Sequence, residues 1–265
     1  MFILLTLGLV YGVLLPLRSL GFEKESLWPL RFYFAITPLV SVIVVCYVLN
    51  GEEGVKNLFK KFRVRGFAHK WFFLSTWSFS IIAMTALILR FIYDGFFPPF
   101  EDFGPIDQML LWSLPLFFFP GVTEEFGWRG FLQSRLQQKF PAVFACMITG
   151  LVWGAWYYPD FIIGNWEYTN VAQVSLFSFT MAASIFIGWL FIQTGENVFI
   201  AMLAHFGANI VFTFSPLFKV YGDLNHVSIS FYLGLVWFIV VVIVGIYGID
   251  LRGRKVTKKT NLSGL

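Results

Sequence analysis

The chain has 265 residues, of which 58% are hydrophobic and only 13% charged, against about 25% charged in a soluble domain. That balance excludes a soluble globular protein and predicts an all-α, polytopic transmembrane helical bundle, a single membrane domain over residues 1–265. The net charge of +4 is gathered in a few segments, which points to membrane topology and not to nucleic-acid binding.

A spanning helix needs about 20 apolar residues, and by that measure the sequence predicts about eight spans. They fall near 2–17, 29–49, 71–92, 108–136, 141–158, 170–193, 197–217 and 228–249. The first could be mistaken for a signal peptide. It lacks a basic leading region and a small-residue cleavage site, so it is read as a membrane helix. Cys46 and Cys146 fall within spans and are expected to be small buried residues, not a disulfide or metal pair.

The segments between spans are asymmetric in charge. Residues 50–70 carry Lys56, Lys60, Lys61, Arg63, Arg65 and Lys70. Arg135 and Lys139 lie between the fourth and fifth spans, and the tail carries Arg252, Arg254, Lys255, Lys258 and Lys259. The segments 93–107 and 159–169 have no Lys or Arg and hold Asp94, Glu101, Asp102, Asp107, Asp160 and Glu167. Alternating the spans places every basic segment on one side, so both termini are expected in the cytoplasm. Within 50–70, Val55, Leu58, Phe59 and Phe62 recur at i, i+3, i+4 and i+7 with lysines opposite. That pattern predicts an amphipathic helix anchored on the inner leaflet.

The fourth span contains Glu124, Glu125 and Arg129. Each such charge at a helix centre costs about 2.5–3.5 kcal/mol on insertion scales, whereas a leucine returns about 0.3–0.6 kcal/mol. Charges retained against that cost point to a functional site. Glu125 and Arg129 are i,i+4 and share a helix face, so Arg129 is expected to neutralise Glu125. Glu124 is turned about 100° away and lacks that partner, which suits general-base work on water. Pro120-Gly121 just before the cluster is expected to disturb the helix ladder, as helices do where they line a wet cavity. In the seventh span His205 and Asn209 are also i,i+4. Together they could hydrogen-bond a developing oxyanion or simply join helices. In the fifth span Gly150 and Gly154 form a small-residue face for close helix approach, with Tyr157 one turn further along. At 1.5 Å per residue, Glu124, Tyr157 and His205 lie about 21, 24 and 13 Å deep, compatible with one shared cavity.

Glu124-Glu125-Phe-Gly-Trp-Arg129 resembles the EExxxR signature of the CAAX protease and bacteriocin-processing family, also called the Abi family. Trp153 to Tyr157 is similar to that family's second motif, an aromatic residue followed four positions later by histidine. His205-Phe-Gly-Ala-Asn209 is similar to its third, HxxxN. The resemblance covers a core of about 108–217. It implies an intramembrane endopeptidase in which Glu124 activates water, Glu125 is its partner and Arg129 holds the pair. His205 and Asn209 would stabilise the oxyanion. The implied substrate is a peptide or the terminus of a membrane-attached protein, and the implied location is a bacterial cytoplasmic membrane. Tyr157 departs from the pattern, because it stands where the family has histidine. A tyrosine hydroxyl donates a hydrogen bond but does not accept a proton at neutral pH. The alternative is therefore a catalytically silent member acting as a membrane scaffold or regulator. A transporter or proton relay ranks lower, since no paired half-chain repeat is visible. No cofactor is expected. A metal stays open but weak, with no HExxH and a single histidine at the site.

Overall fold

The computed structural model describes residues 1–22, 24–27, 30–162, 170–218 and 224–253. Glu167 and the tail residues Arg254, Lys255, Lys258 and Lys259 lie outside the described residues. Among the described residues the chain is helical, with no strand. In order these are α1 (Phe2–Ser19), α2 (Lys24–Leu27), α3 (Leu30–Phe59), α4 (His69–Asp94) and α5 (Ile106–Leu116). The α5 rod continues as a π-helical stretch, Phe117–Val122, then one α turn, α6 (Thr123–Glu125). A second π-helical stretch, Phe126–Gln133, leads to α7 (Ser134–Leu136). There follow α8 (Ala142–Tyr157), α9 (Pro159–Ile162), α10 (Asn170–Gln193), α11 (Val198–Phe214) and α12 (Leu224–Tyr247).

Among the described residues, six helical stretches are long and apolar enough to cross a membrane: Phe2–Ser19, Tyr33–Phe59, His69–Asp94, Ala142–Ile162, Ala172–Gln193 and His226–Tyr247. The segmented rod over 106–136 and the 17-residue α11 complete the eight predicted spans. The bundle's outer surface is apolar, as a lipid-facing surface must be: Leu4, Ile81, Leu110, Val174 and Phe238 are 63–78% exposed. In water such a surface would be an aggregation liability; in hydrocarbon it is the solvated state.

α11 is the centre. Ile200, Ala201, Met202 and Ala204 are wholly buried, and His205 sits among them. α1 packs one stripe inward, Phe2, Thr6, Val10 and Leu14, at the four-residue spacing of a helix face. The Tyr11 hydroxyl donates to the Ala155 carbonyl at 2.7 Å, tying α1 to α8. Gly150 is where α8 meets α10. A Cβ there would stand 2.6 Å from the Met181 Cα and from the Thr180 carbonyl oxygen. This is the close approach the Gly150/Gly154 face predicts. Cys46 and Cys146 are free and buried.

The 50–70 segment forms the expected amphipathic helix and packs one part of its apolar stripe on the protein. α3 kinks at Asn50 and Gly51, and Gly51 takes φ 59°, ψ −153°, a conformation that favours glycine. After the kink the apolar face turns partly into the protein. Leu58 is 4% exposed, the Phe59 ring lies 4.8 Å from Phe126 and the Phe62 ring 5.6 Å from Phe199. The amphipathic stripe thus packs in part against the charged rod and α11, while Phe59 and Phe62 stay 41% and 38% exposed and open to lipid. A buried aromatic contact on that rod satisfies the same periodicity that lipid would, which is why the sequence pattern does not distinguish them.

Candidate active site

The acidic pair sits on the single α turn between two π-helical stretches. Pro120 has no N–H to give an α-helical ladder. The expected disturbance is present as a widened helix, not a break. Such π segments re-aim side chains and recur at functional sites. Glu124, Glu125 and Arg129 are all at most 1% exposed.

The two carboxylates have different partners. Glu125 Oε1 accepts from Arg129 Nη1 at 2.6 Å and lies 2.7 Å from His205 Nδ1 on α11. Glu124 Oε2 accepts from two indoles, Trp128 Nε1 and Trp153 Nε1, each at 3.0 Å. The Tyr157 hydroxyl approaches the other oxygen, Glu124 Oε1, at 3.4 Å. The structure therefore brings Glu124, Glu125, Arg129, Tyr157 and His205 into one cluster. The i,i+4 pairing of Glu125 with Arg129 is observed.

Aromatic rings wall this cluster. The Trp153 ring packs edge-on to His205, with centroids 4.9 Å apart. The Arg129 guanidinium lies 5.0 Å from the Trp153 centroid, a cation–π contact that strengthens when desolvated. Trp156 stacks edge-on to Tyr157 at 4.7 Å and to Trp128 at 6.1 Å. Its own indole donates to Thr37 Oγ1 on α3 at 3.0 Å. Trp153 was legible only as the aromatic of a motif, and Trp128 only as a space between two others. Glu124 to Trp128 is nonetheless an i,i+4 step, a spacing at which an indole N–H can reach a carboxylate.

Several buried polar atoms of the cluster have no hydrogen-bond partner among the described residues. They are Glu125 Oε2, Arg129 Nε and Nη2 and His205 Nε2; Asn209 Nδ2, one turn beyond His205 on α11, is likewise unpaired. Buried polar atoms of native proteins are nearly always paired, so unpaired ones call for an explanation. Here they come from the EExxxR and HxxxN positions. Among the described residues no group of three or more His, Cys, Asp or Glu is arranged to hold a metal ion.

A second buried charge went unread in the sequence. Arg90, inside the third predicted span, is wholly buried. Its Nε donates to Asp94 Oδ2 at 2.6 Å and its Nη1 to Ser228 Oγ on α12 at 3.0 Å. The i,i+4 step from Arg90 to Asp94 was the available signal. It joins α4 to α12 and lies outside the acidic cluster.

Two comparisons with known proteins bear on this site. Residues 106–211 match the family described as Type II CAAX prenyl endopeptidase Rce1-like. That segment contains both glutamates, Arg129, Tyr157, His205 and Asn209. A protein of Methanococcus maripaludis named CAAX prenyl protease 2 is 24% identical over 192 residues, 65% of this chain and 68% of the relative.

Proposed function

We propose that this chain, a member of the CAAX protease and bacteriocin-processing family, is an intramembrane endopeptidase in which Glu124 activates a water molecule. At the family level the protease activity and a membrane-associated protein substrate follow from the matches. The finer reading is that the chain cleaves a peptide or the terminus of a membrane-attached protein. The observation that carries it is the division of labour between the carboxylates. Glu125 is committed to Arg129 and His205. Glu124 is fixed through one oxygen by two indoles and turns its other oxygen toward Tyr157. A general base must be held in place yet keep a lone pair for the proton it takes. Glu124 Oε1 meets that requirement.

His205 and Asn209 take the oxyanion role in this reading. His205 Nδ1 engages Glu125 at 2.7 Å, and Nε2, unpaired among the described residues, is the ring nitrogen available to the substrate. Tyr157 donates a hydrogen bond toward Glu124 and orients it, in place of the histidine of the family motif. We place the basic end of the bundle, and both termini, in the cytoplasm.

The second reading, a catalytically silent scaffold, is favoured by that same tyrosine. The two are separated by comparing membrane and secreted peptides by mass spectrometry in a deletion strain. The strain is complemented with wild type or Glu124→Gln at matched protein levels. A fragment present with wild type and absent with the variant is the expected result. Identical peptide profiles, with both versions rescuing the deletion, would establish the scaffold.

A further inference from the structure

At the basic end of the bundle lies a cavity of about 580 Å³, away from the acidic cluster. It is lined by Lys60, Lys61, Arg63, Ile192, Gln193, Gly195, Glu196 and Arg252. Four cations thus face one carboxylate, from three separate parts of the chain. Their placement is built, not incidental. The Arg63 main chain is clamped by Asn197, whose Oδ1 accepts from the Arg63 N–H at 3.1 Å and whose Nδ2 donates to the Arg63 carbonyl at 2.8 Å. Arg63 Nη2 is held by the carbonyls of Thr194 and Gly195 at 3.2 and 2.7 Å. The Gln193 amide donates to the Leu251 carbonyl at 2.6 Å, which sets Arg252 at the cavity's edge.

Lys61 pairs with Glu196 at 3.0 Å, which accounts for the lining's one carboxylate. Lys60 reaches Glu53 at 3.1 Å, but both side chains are more than 60% exposed, and such surface pairs hold weakly. Arg252 takes part in no ion pair among the described residues. The cavity therefore keeps a positive excess. Its surroundings are apolar and exposed: Phe59, Phe62 and Val64 beside the lysines, and Ile249 beside Arg252, are 38–55% exposed. Exposed cations beside exposed aromatic and aliphatic side chains match a phosphate at the boundary between headgroups and acyl chains.

We propose that this cavity binds the phosphate of an anionic phospholipid headgroup, with Lys60, Arg63 and Arg252 supplying the charge. Lys61 links it to the catalytic rod, because its ammonium also donates to the Gly130 carbonyl at 3.1 Å and to Ser134 Oγ at 2.7 Å. The site is independent of the peptidase reading and stands or falls without it.

The test is native mass spectrometry of the full chain released from nanodiscs containing phosphatidylcholine and phosphatidylglycerol. Wild type is expected to retain phosphatidylglycerol in preference to phosphatidylcholine. Lys60→Gln combined with Arg252→Gln is expected to weaken that retention about 30-fold, about fivefold for each surface cation removed. Arg252→Lys, which keeps the charge, is expected to retain the lipid, and a thermal melt of each variant in detergent verifies folding. Equal retention of the two lipids, or unchanged retention in the folded double variant, would overturn the site. Displacement by millimolar inorganic phosphate would overturn the lipid as its occupant.

Discussion

At the level of single residues, the cluster combines groups that hydrocarbon makes expensive with groups that blend into it. Glu124, Glu125, Arg129 and His205 were legible because a charge in an apolar run stands out. The indoles that fix Glu124 were not, because tryptophan is ordinary in a membrane span and its N–H is invisible to hydropathy. Trp153→Phe keeps the ring against His205 and Arg129 but removes one N–H donor from Glu124 Oε2. A hydrogen bond to a charged group contributes about 1.5–3 kcal/mol, so turnover is expected to fall about 10–100-fold with KM unchanged. Steady-state kinetics on the identified substrate measures this, and a pure rise in KM would count against the positioning role. Tyr157→His restores the residue type of the family motif beside Glu124. It is expected to raise turnover at least about tenfold, within the reach of a general acid or base. A slower or inactive variant would mean that the tyrosine is an adapted part of this site.

The same cluster makes a stability prediction that does not depend on activity. Arg129→Ala strips Glu125 of its guanidinium in a site with no exposure, and breaking a buried pair from one side costs about 3–5 kcal/mol. Glu124→Gln leaves an acceptor oxygen for both indoles and is expected to cost far less. Size-exclusion yield and thermal midpoint in detergent should fall for Arg129→Ala and stay near wild type for Glu124→Gln. Equal losses would show that the guanidinium's contact with Glu125 is not what the fold depends on.

Among the elements, the α8 pattern specifies its partner and the 50–70 pattern leaves two partners open, for one reason. A small-residue stripe has one physical use in a membrane, the close approach of another helix, and α10 is that helix. An amphipathic stripe has two uses, lipid and protein. Periodicity cannot tell whether Leu58 meets an acyl chain or the rod that carries Gly130. The π-helical stretches were visible only as a warning from Pro120-Gly121, because hydropathy has no term for helix width. Gly150→Leu tests the α8–α10 contact. Its side chain would meet the backbone of Met181, which cannot rotate away, and overpacking costs about 1–3 kcal/mol, occasionally more. Gly8→Leu on α1 is the matched control, since a Cβ at Gly8 meets nothing within 4 Å. The thermal midpoint should drop for the first and hold for the second. Because Gly150 lies on the helix that delivers Trp153 and Tyr157 to Glu124, activity should drop with it.

For the whole molecule, the basic segments converge as the alternation of spans requires. Lys60, Lys61 and Arg63 share a cavity with Arg252, and Lys61 bonds Ser134, the neighbour of Arg135. The opposite face carries the loop around Glu101, whose Gly104 N–H bonds the Phe214 carbonyl at the far end of α11. The described charges thus differ from end to end, and by the positive-inside rule the basic end is expected in the cytoplasm. Cysteine labelling reads this directly, because the native Cys46 and Cys146 are buried and give little background. Single cysteines replacing exposed Lys60 and Glu101 are treated with a membrane-impermeant maleimide. Position 101 is expected to react in intact cells and position 60 only in inverted vesicles. The reverse pattern would turn the whole molecule over. Reaction of both positions from the same side would mean an even number of crossings between them. Since α4 is the one helix separating 60 from 101, opposite labelling also tests that α4 spans by itself, with Arg90 and Asp94 at its outer end.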